Sequence, residues 1–333
     1  MRRRRGRGPA APDAHRILIG FSSAPEMIPG MSAMTWRRAA GAAVAVAGGA
    51  AVLLLAGHRL VPGDAGVLLE SGLPWVGLAA PVAAVAGAAL RSRAAAAAAV
   101  AVSAVWAALF VPAYVPGPGA GGAGGGTLAV ATLNVGAGNT RVCEALREAA
   151  GWGADMVAVQ ELAGPEECAA EAFGGDGEWV RQGTVGVWSR HPVAAVETLD
   201  PSVGWIRGVR LSIRAPEGEV AVVAGHAASL RPGTAGARDG SLRALARSAR
   251  EADGPVVVLG DLNTAATDRA MGAFSGFGEA QRDAGWGPGF TWPAAAPAVR
   301  LDHVLYRGAR AVSAEVRPVP GSDHRAVLAR LAY

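Results

Sequence analysis

Three apolar stretches without a charged side chain lie near the start of the chain, at residues 39–56, 73–90 and 94–114. As helices rising about 1.5 Å per residue, they would span roughly 27 to 32 Å, close to the hydrocarbon thickness of a bilayer. The alternative is a soluble bundle of Ala-rich helices, but so small a region has little with which to bury three such stretches. The sequence therefore predicts three transmembrane helices within residues 39–115.

The arginines around these stretches predict how the helices cross the bilayer. Arg37 and Arg38 precede the first stretch, Arg91 and Arg93 separate the second from the third, and Arg59 stands alone between the first two. Positive residues concentrate in the cytoplasmic loops of membrane proteins. We therefore expect the N-terminus in the cytoplasm and everything after residue 114 outside the cell membrane.

Charge is distributed unevenly along the chain. Overall, 51% of the residues are hydrophobic and 17% are charged, which favours partial embedding in a membrane. Residues 1–127 contain 11 Arg and four acids, a net charge of +7, whereas residues 128–333 contain 20 Arg and 23 acids, a net charge of −3. The sequence pI of about 9.8 therefore does not indicate a broad basic surface for nucleic acid in the second part. Glu70, at the edge of the second stretch, is expected to be an exposed interfacial acid.

Composition also divides the chain into regions. Residues 1–38 are basic and aperiodic, typical of a disordered tail, and residues 116–127 are rich in Pro and Gly, typical of a flexible linker. In residues 128–333, β-like runs alternate with helical stretches, and several neighbouring runs have no helix between them, which predicts a mixed α/β domain. The predicted strands are Leu128–Leu133, Met156–Val159, Gly183–Ser189, Gly208–Arg214, Val220–Ala224, Val256–Leu259, Asp302–Tyr306 and Val327–Leu331, and the predicted helices are Arg141–Ala150 and Ser241–Ala252.

Polar side chains follow several of these strands at the point where each strand ends. Asn134, Glu161 and His226 each come after a predicted strand, and Asp261 and Asn263 follow another. Active sites of layered α/β proteins collect at such strand ends. The set combines hard oxygen ligands with imidazole groups, and no Ser or Cys stands in a recognisable nucleophile setting.

The order of the fragments resembles the successive motifs of the endonuclease/exonuclease/phosphatase superfamily, which has the DNase I-like fold. The resemblance covers essentially all of residues 128–333. It implies a four-layer α-β-β-α sandwich, in which two mixed sheets pack face to face with helices outside. The fragments are Thr132-Leu-Asn134, Val159-Gln-Glu161, Gly186-Val-Trp-Ser-Arg190, Gly225-His226, Gly260-Asp-Leu-Asn263, Leu301-Asp-His303 and Gly321-Ser-Asp-His324.

The resemblance also implies a divalent-metal site. Glu161 would be the principal ligand, with Asn134 beside it and Asp323 facing the metal or the attacking water. A carboxylate suits hard Mg²⁺ or Mn²⁺, which retain several waters and take further ligands from substrate phosphate.

Catalytic roles are implied for five further residues. Asp261 would polarise or position the attacking water, and Asn263 would donate to a phosphoryl oxygen without repelling it. Asp302 would hold the His324 ring through one nitrogen and so fix its tautomer. His226 would hydrogen-bond the scissile phosphate or the leaving group.

Two further features stay open on the sequence alone. Trp292 either lines the substrate cleft or fills the core. Cys143 and Cys168, the two cysteines of the chain, form either a disulfide in an oxidising compartment or two separate buried thiols.

The sequence thus predicts a membrane-anchored, metal-dependent phosphodiesterase, with an extracytoplasmic endonuclease as the first hypothesis. A phospholipid or sphingomyelin-type phosphodiesterase or phosphatase is the alternative, since the tether holds the site near lipid head groups. A second alternative is a catalytically inactive, tethered binding module. The expected partners are a phosphoester substrate and the bilayer, and no protein partner is inferred.

Overall fold

The computed structural model describes residues 32–115, 126–163, 166–175, 177–201 and 204–333. Most of the predicted tail and most of the predicted linker lie outside the described residues. Their disorder and flexibility therefore stay predictions.

The helical region, residues 32–115, contains the three predicted apolar helices. Its apolar helical runs are Ala33–Leu60, Gly63–Leu90 and Arg93–Tyr114, of 28, 28 and 22 residues, and each is long and apolar enough to cross a membrane. The α-helices within these runs are α1 (Ala33–Gly57), α2 (Gly63–Gly72), α3 (Ala79–Leu90) and α4 (Arg93–Phe110), with short 3-10 helices at His58–Leu60, Leu73–Leu78 and Val111–Tyr114.

Small residues allow α1, α3 and α4 to pack closely. A Cβ added to Gly48 of α1 would lie 2.7 Å from the Cβ of Ala98 in α4, and one added to Gly87 of α3 would lie 3.0 Å from the Ala96 nitrogen. Contacts between small residues are the usual way in which apolar helices associate in lipid.

The short helix α2 has a different environment. It lies against the C-terminal domain, and the side chain of Glu70 is fully buried there and paired with Arg269. The prediction of an exposed interfacial acid is therefore wrong. Glu70 is buried because the C-terminal domain covers this end of α2, and the sequence alone does not indicate that contact.

Two six-stranded sheets form the centre of the C-terminal domain. The first contains β1 (Thr127–Asn134), β2 (Met156–Gln160), β3 (Glu178–Gln182), β4 (Val185–Ser189), β11 (Arg310–Pro318) and β12 (Arg325–Ala332), in the order β11-β12-β1-β2-β4-β3. The second contains β5 (Val193–Leu199), β6 (Gly208–Ala215), β7 (Gly218–His226), β8 (Val256–Asp261), β9 (Gly278–Glu279) and β10 (Asp302–Arg307), in the order β5-β6-β7-β8-β10-β9. Pairs β1–β2 and β7–β8 are parallel and the other pairs are antiparallel, so both sheets are mixed.

Helices cover the outer faces of both sheets. Helices α5 (Val142–Ala150) and α6 (Glu166–Phe173) pack on the first sheet, and α7 (Ala235–Arg250) packs on the second. A short helix, α8 (Ala280–Ala284), follows β9. The predicted mixed α/β class and the four-layer α-β-β-α sandwich are confirmed.

Burial on both faces explains why the central strands are apolar without alternation. In β1, Leu128 and Val130 point into the core between the sheets, whereas Ala131 and Leu133 point towards α5. Strands enclosed on both sides need apolar residues at odd and even positions alike. The apolar runs recognised in the sequence are these enclosed strands.

Candidate active site

Two pairs of parallel strands bring four predicted site residues to one edge of the sandwich. Asn134 and Gln160 end β1 and β2 in register, and Glu161 follows directly. His226 and Asp261 end β7 and β8 in register. Because parallel strands end at the same edge, their terminal side chains meet across the gap between the two sheets.

Asp261 is the centre of this cluster. Its Oδ2 accepts a hydrogen bond from Asn134 Nδ2 at 3.0 Å, and the same amide donates to Glu161 Oε1 at 3.1 Å. His226 Nε2 lies 3.5 Å from Asp261 Oδ2 and 3.6 Å from Glu161 Oε1. His324 Nε2 approaches the same Asp261 oxygen to 3.8 Å. Residues separated by up to 190 positions thus converge on one carboxylate.

The predicted Asp302–His324 pair is formed. His324 Nδ1 and Asp302 Oδ2 lie 2.9 Å apart, and both side chains are buried. Asp302 stands opposite Asp261 in the antiparallel register of β8 and β10. The strand pairing therefore places Asp302, which holds the His324 ring, beside Asp261, which the ring faces.

The turn after β8 positions Asn263. Its backbone N–H donates to Asp261 Oδ1 at 2.8 Å, and its Nδ2 donates to the carbonyl oxygen of Ala227 at 3.0 Å. Asn263 has a φ of 46°, and Glu161 a φ of 57°. Both residues therefore adopt the left-handed conformation, which non-glycine residues seldom occupy and which is concentrated at functional sites.

Gly260 is required by the close approach of two strands. A Cβ at this position would lie 1.9 Å from the carbonyl oxygen of Gly225, the residue paired with it on β7. The glycine thus lets β7 and β8 approach closely one residue before His226 and Asp261.

Asp323 and Trp292 lie at the rim of the cluster. Trp292 Nε1 donates to Asp323 Oδ2 at 3.2 Å, and 39% of the Trp292 surface is exposed. Trp292 is therefore exposed beside Asp323 and does not fill the core. Asp323 belongs to neither of the candidate metal-binding groups found in the described part of the chain.

The donor atoms fit a divalent cation. Glu161, His226 and Asp261 offer ligand atoms within 4.8 Å of one another, and Asp261, Asp302 and His324 form an overlapping group. Two carboxylates facing a common space are a suitable donor set for a hard cation. The Glu161 side chain is 29% exposed, so a ligand can reach this space from solvent.

The two histidines have opposite protonation tendencies. Burial lowers the pKa of His226 to about 4, despite the attraction of Asp261. Burial would also lower the pKa of His324, but Asp302 and Asp261 outweigh it and raise the pKa to about 10. Burial and the nearby Asp302 raise the pKa of Asp261. At neutral pH the cluster therefore contains one neutral imidazole and one imidazolium.

Arg207 is a member of the cluster that the sequence did not reveal. Its guanidinium contacts both ring nitrogens of His226, with Nη2 2.5 Å from Nε2, and is stacked on Trp205 at 5.1 Å from the ring centroid. Arg207 is buried, and burial lowers its pKa against the attraction of Asp261 and Glu161. It immediately precedes Gly208, the start of a predicted strand, where no motif distinguishes it from the other arginines.

The two cysteines lie away from this cluster. The structure joins Cys143 of α5 to Cys168 of α6 by a disulfide, with Cα atoms 4.9 Å apart. The bond links the two helices that cover the first sheet.

A four-layer sandwich with carboxylates and histidines at one edge defines the class of DNase I-like phosphoester hydrolases. The family model for the Endonuclease/Exonuclease/phosphatase family matches residues 131–324. The chain belongs to this family, and the resemblance identified from the motifs is confirmed.

Solved structures agree on the fold. A D. rerio TDP2 humanised by 14 mutations is 17% identical with a TM-score of 0.54, over 62% of this chain and 99% of that chain. A family member from Bacteroides thetaiotaomicron is 16% identical with a TM-score of 0.51, over 62% and 95%. The mannosyl-6-phosphatase of the same species is 15% identical with a TM-score of 0.50, over 62% and 100%. No curated protein sequence matches the chain.

Proposed function

We propose that the protein is a membrane-anchored, divalent-metal-dependent phosphodiesterase that hydrolyses its substrate by direct attack of water. The observation that carries the proposal is the convergence of Glu161, His226 and His324 on Asp261, at the open edge of a phosphoesterase fold. All the positions to which the family resemblance assigns a role are filled, which favours an enzyme over an inactive binding module.

Glu161 and Asp261 would hold Mg²⁺ or Mn²⁺, with Asn134 fixing both carboxylates through its amide nitrogen. When bound, the cation neutralises charge on the phosphoryl and leaving oxygens. The Ala137 N–H also donates to Glu161 Oε2 at 2.8 Å, which keeps the carboxylate oriented towards the cluster.

The histidines would act on the phosphate and the water. His324, protonated at neutral pH and held by Asp302, presents its Nε2–H to the space beside Asp261. His226 remains neutral and donates a hydrogen bond to a phosphoryl oxygen or the leaving group. Asp261 and the Asp302–His324 pair together orient the attacking water, and Asn263 and Arg207 add hydrogen bonds and positive charge for the phosphate.

The proposed location is the cell membrane, with the catalytic domain outside the cytoplasm. Helix ends near residues 57, 73 and 115 face the domain, whereas Arg37, Arg38, Arg91 and Arg93 belong to the opposite ends of the helices. This polarity supports the orientation expected from the arginines. A disulfide between Cys143 and Cys168 suits an oxidising compartment.

One substrate hypothesis is nucleic acid. A D. rerio TDP2 structure of the same fold contains a single-strand DNA product, with 16% identity and a TM-score of 0.54 over 62% of this chain and 99% of that chain. At this identity the likeness concerns the fold, and nucleic acid is one of several phosphoesters that this fold accommodates.

The proposal is tested by hydrolysis of the soluble diester bis-p-nitrophenyl phosphate by the full chain in detergent, with and without Mg²⁺ or Mn²⁺. Asp261→Ala and His324→Ala should each reduce the metal-dependent rate at least about 10²-fold. The matched control Asp253→Ala, an exposed acid remote from the cluster, should leave the rate unchanged. Turnover by either cluster variant at the wild-type rate would contradict the assignment.

A further inference from the structure

Helix α2 contacts the catalytic domain through an ion pair between the buried Glu70 and the half-buried Arg269. Both carboxylate oxygens of Glu70 accept hydrogen bonds from Arg269 Nε, at 3.0 and 3.1 Å, and Oε2 also accepts one from the Arg269 backbone N–H at 2.8 Å. The same guanidinium donates to the carbonyl oxygens of His58, Arg59 and Val61, at 2.7 to 3.0 Å. Arg269 thus pairs with carbonyl oxygens at the end of the first helical run, one of which, that of His58, also accepts the Val61 N–H.

A second carboxylate of α2 contacts the start of α7. The two oxygens of Asp64 accept hydrogen bonds from the backbone N–H groups of Gly233 and Ala235. The first residues of a helix have unpaired N–H groups and a partial positive charge, and Thr234 makes no side-chain cap there. Asp64 therefore caps α7 from another part of the chain.

Aromatic contacts complete the interface and reach the site. Trp75 Nε1 donates to the carbonyl oxygen of Ala298 at 2.9 Å, and its ring lies 5.7 Å from that of Phe290. The Ala298 N–H donates to the carbonyl oxygen of Trp292 at 2.9 Å, and Trp292 in turn donates to Asp323. A short chain of hydrogen bonds thus joins the helical region to the rim of the cluster.

The segments that contact the helical region are those that surround the active site. Residues 227–235 follow His226, residues 264–269 follow Asn263, and residues 286–299 include Trp292. Around the opening, Trp205 and Ile206 are exposed by 55% and 39%, and Trp292 by 39%. The catalytic edge of the sandwich therefore faces the same side as the helical region, and its rim contains these exposed apolar side chains beside the acidic Asp323.

We infer that α2 locks the catalytic domain onto the membrane-spanning helices, so that the cleft opens at the bilayer surface and acts on phosphoesters embedded in that bilayer. The inference rests on the proposed function, because it names the substrate class of the same site. An amphiphile that diffuses in the membrane plane reaches a cleft held there at a high effective concentration, whereas a soluble substrate gains nothing from the docking. The exposed apolar side chains of the rim suit the boundary between a lipid head group and its chains.

The activity test uses the full chain reconstituted in phosphatidylcholine–phosphatidylglycerol vesicles with Mg²⁺ or Mn²⁺. Hydrolysis of the vesicle lipids is compared with hydrolysis of bis-p-nitrophenyl phosphate in the surrounding buffer. Arg269→Ala should reduce lipid hydrolysis at least tenfold while changing the soluble reaction less than twofold. Arg243→Ala, which removes an exposed arginine of α7, should change neither rate.

The possible outcomes separate the two ideas. Wild-type protein that cleaves the soluble diester but no vesicle lipid overturns the inference and leaves the phosphodiesterase standing. Equal loss of both rates in Arg269→Ala also overturns it, because the residue would then support only the fold of the site. Wild-type protein that cleaves neither substrate contradicts the proposed function itself.

Docking has a readout that does not depend on activity. Nitroxide labels at Leu53, an exposed residue of α1, and at Arg330, an exposed residue of β12, report the distance between the helical region and the domain. We expect a narrow distance distribution for the otherwise wild-type chain and a broad one for Arg269→Ala. A broad distribution in both proteins overturns the docking.

Discussion

Nδ1 of His324 and Oδ2 of Asp302 lie 2.9 Å apart in a buried position. The orientation of the His324 ring and the charges of both residues therefore depend on this contact. Asp302→Asn keeps the shape of the side chain but removes its negative charge. We expect the pKa of His324 to fall from about 10 towards 6.5, because Asp302 is the main group that raises it. The rate should fall about 10²-fold. NMR titration of the His324 ring, alongside turnover, measures both effects, and an unchanged pKa would contradict the role of Asp302.

Metal binding should depend on Glu161. Glu161→Gln preserves the size of the side chain but loses the anionic oxygen that faces Asp261 and His226. We expect Mn²⁺ affinity, followed by electron paramagnetic resonance, to weaken by more than about tenfold. Glu167→Gln, at an exposed position of α6, is the matched control and should bind Mn²⁺ like the wild type. Equal affinity in the two variants would place the metal elsewhere.

Arg207 should contribute to phosphate binding. Arg207→Ala removes the guanidinium beside His226, and we expect kcat/KM for a phosphodiester to fall roughly 10- to 100-fold, equivalent to one charged hydrogen bond. Arg207→Lys should recover only part of the loss, since an ammonium keeps the charge but not the planar fork. Steady-state kinetics at several substrate concentrations provides the measurement. Wild-type kinetics in the Ala variant would mean that the arginine has only a packing role.

Stability should fall in acid through Glu279. Burial alone would raise the pKa of this residue, but Arg300 and His303 outweigh burial and lower the pKa from 4.5 to about 2. A carboxylate with a depressed folded-state pKa stabilises the protein fully above pH 4.5, and this contribution is lost as the pH falls towards 2. Glu279→Gln should therefore lower stability at pH 7 by roughly 3 kcal/mol and flatten its pH dependence over this interval. Thermal unfolding in detergent between pH 2 and 7 tests this, with Glu315→Gln as an exposed control.

The disulfide should stabilise the first sheet and its helices. The two cysteines are 25 positions apart, and closing a loop of this length stabilises a protein by about 3.5 kcal/mol in the chain-entropy estimate. The double variant Cys143→Ser/Cys168→Ser should unfold at a lower temperature, and reducing agent should lower the unfolding temperature of the wild type but not of the variant. An equal response of both proteins to reducing agent would indicate that the bond does not form.

The strands that the sequence predicted and those that it missed differ in position. All eight predicted strands form, and their ends differ from the predicted ones by at most two residues. The four missed strands, β3, β5, β9 and β11, are the edge strands of the two sheets. An edge strand is only partly covered, so it needs no apolar run: β5 is exposed along most of its length. Hydrophobic periodicity reflects the burial of side chains. Edge strands bury few side chains, so they show little of this periodicity.

The site was predictable where its residues belong to motifs at strand ends, as for Asn134, Glu161 and Asp261. Arg207 was not predictable, because no motif distinguishes it from the other arginines. Its role becomes visible only in the fold, which places its guanidinium against His226. The environment of Glu70 was hidden for a similar reason. Its partner Arg269 lies 199 residues away, and hydropathy cannot show which domain covers a helix end.

The left-handed conformations of Glu161 and Asn263 have an evolutionary consequence. The left-handed conformation of each residue destabilises the folded chain by about 1 kcal/mol relative to a glycine at the same position. Selection for stability alone would therefore replace both residues by glycine. A relative that has lost its substrate would be free to make that exchange. Glycines at these two positions would therefore mark a family member that has kept the sandwich and abandoned the reaction.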